Sequence, residues 1–364
     1  MSIKHLEEYR DPELARRLID RIHGIHTKPV RLMEVCGTHT VSIFRSGIRS
    51  VLPGDISLVS GPGCPVCVTD QSDIDAFIAI SRMDRVIVAT FGDLIRVPGT
   101  ESSLQAERAS GRDIRVVYSA MDALEIAGKN PDKRVVFLGV GFETTAPTIA
   151  ATVLTAAAAG LANYLVYSAH KTVPKALEVL VTAPDVHIDG FILPGHVSVI
   201  LGSNAYTSLK TVHHMPCVVA GFEPADILQA VFSLVSQIHD GKPEIDNAYP
   251  RAVTAEGNPK ALSVMNAVFE PVDAAWRGIG TIPGSGLKIR QEYALADAAL
   301  QLDIKVPEPV IPKGCACGDI LKGIKIPPEC ALYKKRCTPV DPVGPCMVSS
   351  EGTCAAYYRY YCND

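Results

Sequence analysis

The sequence predicts an α/β protein in which two similar parallel-sheet lobes face a crevice and a cysteine-rich segment follows them. Three observations carry this expectation. Short continuous apolar runs alternate with helical stretches along the first 240 residues. Several of those runs end in a cluster of Gly, Cys, His, Thr or Glu. Seven of the eleven cysteines lie in the last fifty residues. Apolar runs without polar alternation mark strands buried on both faces, as in parallel sheets covered by helices.

Taken in order, residues 1–28 read as a short helix, because Leu14, Leu18, Ile22 and Ile25 recur at helical spacing and Pro29 blocks continuation. Strands are expected at Val30–Val35, Ile56–Ser60, Arg85–Phe91, Arg115–Tyr118, Arg134–Val140, Asn163–Ser168, Gly190–Leu193 and Cys217–Ala220. Pro147–Ala159 and Pro224–His239 read as helices between them. A Gly-, Pro- and Asp-rich break follows at 240–255, then a helix from Pro259 to Phe269. Gly278–Gly286 reads as a glycine-rich turn, and Gln291–Leu302 as a further helix. The expected units are a first lobe at 1–130, a second at 131–255 and a C-terminal helical and cysteine-rich unit at 256–364.

The chain is long enough for a sizeable core divided among two or three domains. Its formal net charge of -4 offers no basic surface for nucleic acid. No apolar run approaches the roughly 20 residues that span a bilayer. The start, with Lys4, Glu7, Glu8, Arg10, Asp11 and Glu13, lacks the apolar segment of a secretory signal. A cytoplasmic setting is therefore expected, where thiols stay reduced and clustered cysteines favour metal ligation or redox cycling over stapling.

Polar clusters follow the strands, where ligands bind in open α/β sheets. They are Cys36-Gly37-Thr38-His39, the Gly61–Cys67 loop, Gly92-Asp93, Gly141-Phe142-Glu143-Thr144-Thr145, His170-Lys171-Thr172 and Pro194-Gly195-His196. The like layout of VRLMEVCGTHT and VVFLGVGFETT hints at duplication. Cys36, at a strand end before a helix, is expected to be a thiolate stabilised by amide dipoles and suited to Fe(II), with His39 offering imidazole nearby; the alternative is a packing cysteine. Cys64 and Cys67 have the C-x-x-C spacing of thiol–disulfide exchange, or of a structural zinc half-site. Glu143, Thr144 and Thr145 serve either chemistry or helix capping, and His196 either a site or the core. Cys217 reads as core, and Cys362 is given no role. Gly280–Gly286 has no preceding strand and supports no nucleotide site.

The tail runs Cys315-Ala316-Cys317, then Cys330, Cys337, Cys346 and Cys354, without the paired C-x-x-C knuckles of structural zinc. A [4Fe–4S] cluster accepts scattered loop thiolates, and Pro328, Pro339 and Pro345 stiffen those loops. This favours an iron–sulfur cluster with a spare redox pair, over zinc or disulfides alone.

Together these motifs resemble the HypD family of [NiFe]-hydrogenase maturation factors over essentially the whole chain. The resemblance is carried by Glu34–Thr40, Gly61–Val68, Gly141–Thr145, Pro194–Ser198 and the tail from Cys315 to Tyr360, above all by Pro345–Cys354, and none of them departs from the family's pattern. It implies a redox scaffold, rather than a conventional turnover enzyme, on which the Fe(CN)2CO unit is assembled. It also implies a HypC-type small chaperone as partner and HypE as cyanide donor. The tail is similar to that of ferredoxin–thioredoxin reductase, which implies that Cys315, Cys330, Cys337 and Cys354 hold a [4Fe–4S] cluster while Cys317 and Cys346 form a redox pair. Cys36, with the partner's cysteine, would then hold one Fe(II) carrying cyanide and carbon monoxide. His39 would position that iron, Cys64 and Cys67 would relay electrons to it, and Glu143, Thr144, Thr145 and His196 would line the crevice. A stand-alone iron–sulfur thiol–disulfide oxidoreductase and a passive module with a structural cluster are the other readings.

Overall fold

The computed structural model describes residues 8–361, so Cys362 lies outside the described residues. Among the described residues eleven strands form three sheets. Strands β1 (Val30–Glu34), β2 (Ile56–Ser60), β3 (Val86–Thr90), β4 (Ile114–Val116), β5 (Arg134–Gly139), β6 (Tyr164–Ser168), β7 (Gly190–Pro194) and β8 (Cys217–Ala220) fall on the eight expected apolar runs. Three more follow: β9 (Ile245–Asn247), β10 (Phe269–Trp276) and β11 (Gly280–Ile289). The expected α/β class with parallel sheets is what the chain adopts.

One sheet is parallel in the order β2-β1-β7-β8-β9, and a second is parallel in the order β4-β3-β5-β6. The strands are thus shared out differently from the 1–130 and 131–255 division. β3 and β4 pair in the sheet of β5 and β6, while β1 and β2 join β7, β8 and β9. The reason lies in the crossovers: after β2 the chain leaves the first sheet, builds the second without interruption and returns at β7 beside β1.

Helices cover the outer faces. The helix Pro12–Ile25 starts at Asp11, whose carboxylate accepts the Glu13 N–H at 2.8 Å, and it buries Leu18 and Ile22 under the first sheet with the helix Pro224–Asp240. Helices Ala120–Lys129 and Ala146–Ala158 cover the second sheet. The inner faces share one core: Met33, Val59, Phe191 and Val219 of the first sheet pack with Val88, Val136 and Leu165 of the second. Cys317, Cys330, Cys337, Cys346 and Cys354 belong to that same core.

Of the Gly278–Gly286 stretch only the start, residues 278–279, is turn; from Gly280 onward it is strand. β10 and β11 pair antiparallel from Phe269↔Ile289 to Trp276↔Gly280, and this two-stranded ribbon tolerates Pro and Gly because no third strand needs their N–H groups. Its tip wedges between the two halves of the chemistry-bearing region. Trp276 bridges to Thr69, and Gly278 abuts Gly318 so closely that a Cβ there would lie 2.2 Å from the Gly318 Cα. Among the described residues no helix is long and apolar enough to cross a membrane.

The seam at Gly278 yields a test. Gly278 combines φ +73° with the close approach, whereas Gly241 ends its helix at φ +64° with open space around it. Gly241→Ala should cost about 1 kcal/mol, the left-handed penalty alone, and Gly278→Ala clearly more, read as midpoints of urea unfolding. Equal costs would show that the ribbon tip does not press on the tail.

Candidate functional site

In each sheet the strand order reverses at one place, and ligands bind at such switch points beyond the carboxyl ends of the strands. In the first sheet this lies between β1 and β7, which deliver Cys36 and His196. In the second it lies between β3 and β5, which deliver Asp93 and Glu143.

Cys36 is the N-cap residue of the helix Gly37–Arg45, so amide groups face its thiol. The expectation of a stabilised thiolate nevertheless fails. Burial pushes the Cys36 thiol up to about 11, with the Glu351 carboxylate adding to the shift. Desolvation outweighs the hydrogen bonds from Thr38 and His39 that favour the anion. Beneath it Glu34 is fully buried, accepts from Ser60 at 2.7 Å and Thr40 at 3.2 Å, and is pushed up by burial.

His39 is buried and neutral: burial lowers its pKa to about 4. Its Nε2 faces the Gly221 carbonyl at 2.8 Å, which fixes the tautomer with Nε2–H donating and leaves the Nδ1 lone pair buried without a partner. Its ring stacks on Phe222 with centroids 4.6 Å apart, and His196 stacks on the same Phe222 at 4.0 Å. His196 is exposed, not a core histidine. A cleft of about 550 Å³ opens beside them, lined by Arg10, Thr38, Ser42, Arg45, Phe222 and Glu223.

Two glycines let other segments reach Cys36. A Cβ on Gly63 would lie 2.3 Å from the Cys36 nitrogen, and one on Gly37 would lie 2.3 Å from the Glu351 carbonyl oxygen. The Gly61–Cys67 loop and the C-terminal tail therefore both sit against the start of the Cys36 helix. Glu351 is held there by the Thr38 hydroxyl, which donates to its carboxylate at 2.7 Å. The tail is tied to the second sheet as well. Ser349 donates to Asp93 at 2.9 Å, and Arg96 donates to the carbonyls of Pro339 and Val348 at 3.1 and 3.0 Å.

The described cysteines are all free thiols, and all but the half-buried Cys315 are buried. Cys64 caps the short helix Pro65–Val68 and accepts the Cys67 N–H at 3.3 Å. Cys67 interacts with both Cys64 and Cys346, and burial pushes its thiol up. Cys346 interacts with Cys317, Cys354 and Cys67, and these three partners pull its proton affinity down. Cys315 and Cys317 stand 3.3 Å apart, which raises Cys315; contact with Cys317 likewise raises Cys354. Burial raises Cys337, which senses Cys317 and Cys315, and the Cys330 thiol faces the Gly314 carbonyl at 3.7 Å. Cys217 is buried at the start of β8, apart from this set.

Among the described residues no group of three or more His, Cys, Asp or Glu side chains is arranged to hold a metal ion. The donor chemistry of the tail nonetheless fits an iron–sulfur cluster: soft thiols, buried, in loops that share one core.

Glu143 is buried behind this region. One carboxylate oxygen accepts the Val173 N–H at 2.9 Å, the other has no partner, and burial pushes its pKa up to about 7. Thr144 is exposed, and Thr145 donates to the Phe142 carbonyl at 3.2 Å within its own turn, without capping the helix that follows. Neither hydroxyl is directed at Cys36 by any hydrogen bond among the described residues. Three residues had drawn no notice in the sequence. Phe222 follows β8 as the polar clusters follow other strands, but its apolar side chain hides that position. Tyr206 is a buried phenol within electrostatic reach of Glu143 and Cys36, bonded to Ser198 at 3.2 Å. Arg277 is a buried guanidinium at the ribbon tip.

Comparison with known proteins identifies the family. The family model HypD, described as the hydrogenase formation hypA family, matches residues 13–361. The hydrogenase maturation factor HypD of Rhodobacter capsulatus is 44% identical, over 98% of each chain. That of Rhizobium leguminosarum bv. viciae is 43% identical over 98% of this chain and 96% of its own, and that of Escherichia coli K12 is 41% identical over 98% of each.

Glu143 makes the pH dependence of folding testable. Its folded pKa of about 7 lies above the ordinary 4.5, so its contribution is fully present below about pH 4.5 and is lost as pH rises to about 7. That loss amounts to about 3 kcal/mol at one unit per 1.36 kcal/mol. Glu143→Gln should remove it, so the difference in unfolding free energy between variant and wild type should grow from pH 4.5 to 7 and then level off. A pH-independent difference would show that Glu143 is ionised in the fold.

Proposed function

The chain belongs to the HypD family, and from that premise we propose that this hydrogenase maturation factor assembles the Fe(CN)2CO unit of [NiFe] hydrogenases at Cys36. The single observation that supports the proposal is that the Cys64/Cys67 loop and the cysteine-rich tail both close on the start of the Cys36 helix, beside the neutral His39.

The iron is cargo. At neutral pH the Cys36 thiol is protonated, so Fe(II) must displace that proton. His39 needs no deprotonation, since its Nδ1 lone pair is free. Strong-field cyanide and carbon monoxide hold Fe(II) low-spin, which a soft sulfur anchor suits. A cysteine of a HypC-type chaperone supplies the second anchor, and cyanide comes from HypE. The cleft beside Thr38 and Phe222 is the entry to that place. His196 and Glu143 serve as hydrogen-bond donors or proton carriers around it. The setting in this reading is the cytoplasm.

Cys315, Cys330, Cys337 and Cys354 would hold the [4Fe–4S] cluster. When bound, it supplies electrons one at a time. The thiols then carry out exchange. With the Cys317/Cys346 pair reduced and the Cys64/Cys67 pair oxidised, the Cys346 thiolate attacks Cys67 sulfur and Cys64 leaves as thiolate. Cys317 next attacks Cys346 and releases Cys67, so the tail pair ends oxidised and the loop pair reduced. The lowered proton affinity of Cys346, and its contacts with both Cys317 and Cys67, support this order.

That same contact requires no iron beyond the cluster, so a stand-alone iron–sulfur thiol–disulfide oxidoreductase is the second reading. Iron bound beyond the cluster, assayed with the HypC-type partner present, separates the two.

Cys36→Ala should leave the fold and the visible cluster absorbance intact while the cyanide and carbonyl infrared bands of the complex with the partner disappear. Bands that persist would remove Cys36 from the mechanism. Cys330→Ala should bleach the brown absorbance, and an unchanged spectrum would strike Cys330 from the ligand set.

A further inference from the structure

Arg277 lies at the tip of the β10–β11 ribbon, and only 7% of it is exposed. Its main-chain N–H donates to the Val68 carbonyl at 2.9 Å. Its Nε donates to the Thr69 carbonyl at 2.9 Å and its Nη1 to the Gln71 side-chain oxygen at 2.8 Å. All three partners are neutral. The remaining nitrogen, Nη2, is buried with no partner at all. A guanidinium never gives up its charge in a protein, and a buried charge without a counter-ion is costly. Here that cost falls between the Cys67 loop and the helix that starts at Cys317. Val68 follows Cys67, while Gly278 follows Arg277 and abuts Gly318, the residue after Cys317.

We propose that Arg277 is a positioning residue for redox chemistry: its guanidinium is the built-in counter-charge for the negative charge that the tail sulfur group acquires on reduction. The clamp formed by Thr69 and Gln71 fixes the charge, and the unpartnered Nη2 leaves part of it unspent for an anion that arrives later. The Cys315 thiol lies within electrostatic reach of it. The fork geometry suits a rigid placement that a lysine would only approximate. The proposal rests on the reading that Cys315, Cys330, Cys337 and Cys354 hold a [4Fe–4S] cluster.

The test is an anaerobic redox titration of the full-length protein, following the cluster's visible absorbance and the paramagnetic signal of its reduced form. Arg277→Gln should weaken the reduction equilibrium about tenfold, a negative shift of about 59 mV for a one-electron couple, at unchanged cluster content. Arg277→Lys, which keeps the charge, should restore most of that shift. Gln71→Glu sets a carboxylate against the guanidinium and cancels its field without touching Arg277. It should lower the midpoint in the same direction, and it decides the matter should Arg277→Gln fail to fold or to load its cluster. Midpoints that do not move in Gln71→Glu, or that fall equally in Arg277→Lys and Arg277→Gln, would reduce Arg277 to a structural clamp. A wild-type protein without any cluster signal would overturn the ligand reading and this inference together.

Discussion

Everything at the chemistry-bearing end depends on how closely backbone can approach the first turn after β1. Gly37 and Gly63 present no side chain there, so the tail and the C-x-x-C loop both press within contact of Cys36. A single methyl at either position would meet main chain, which cannot swing aside as a flexible side chain does. The closeness is what excludes water, and the exclusion in turn sets the chemistry. The thiol keeps its proton, the imidazole of His39 stays neutral, and the Cys67 thiol is held protonated.

The site illustrates a contest between two local fields. A cysteine at a helix N-cap ordinarily gains from the amides in front of it. Here the helix is short and the thiol is fully enclosed, so the loss of solvation is the larger effect. A buried thiol that keeps its proton at neutral pH is inert toward passing electrophiles. Cys346 shows the reverse balance: its three sulfur neighbours outweigh burial.

Much of this was legible in the chain. The eight central strands announced themselves as unbroken apolar runs, because strands buried on both faces leave no room for polar residues. The clusters at Cys36, Cys64, Asp93, Glu143 and His196 followed from the rule that α/β sheets place function beyond their strand ends. The division of strands between sheets was not legible, since the return of β7 to the side of β1 depends on a crossover spanning the whole second sheet. The ribbon was hidden by Pro271, Pro283 and its glycines, which break the apolar period that marks a strand. Phe222, Tyr206 and Arg277 escaped for another reason: each matters through contacts with segments far away in sequence, and none is a residue type that advertises a site. The charge state of Cys36 was read from its local position, whereas the enclosure that decides it is supplied by Glu351 and Gly63.

The straps from Asp93 and Arg96 to Pro339, Val348 and Ser349 belong to the loop after β3, while the sulfur atoms those straps carry face Cys67 of the other sheet. The tail therefore spans a mechanical joint. A small slip of one sheet past the other would part Cys346 from Cys67 long before any strand lost its ladder, so the proposed relay would register alignment as a clutch does.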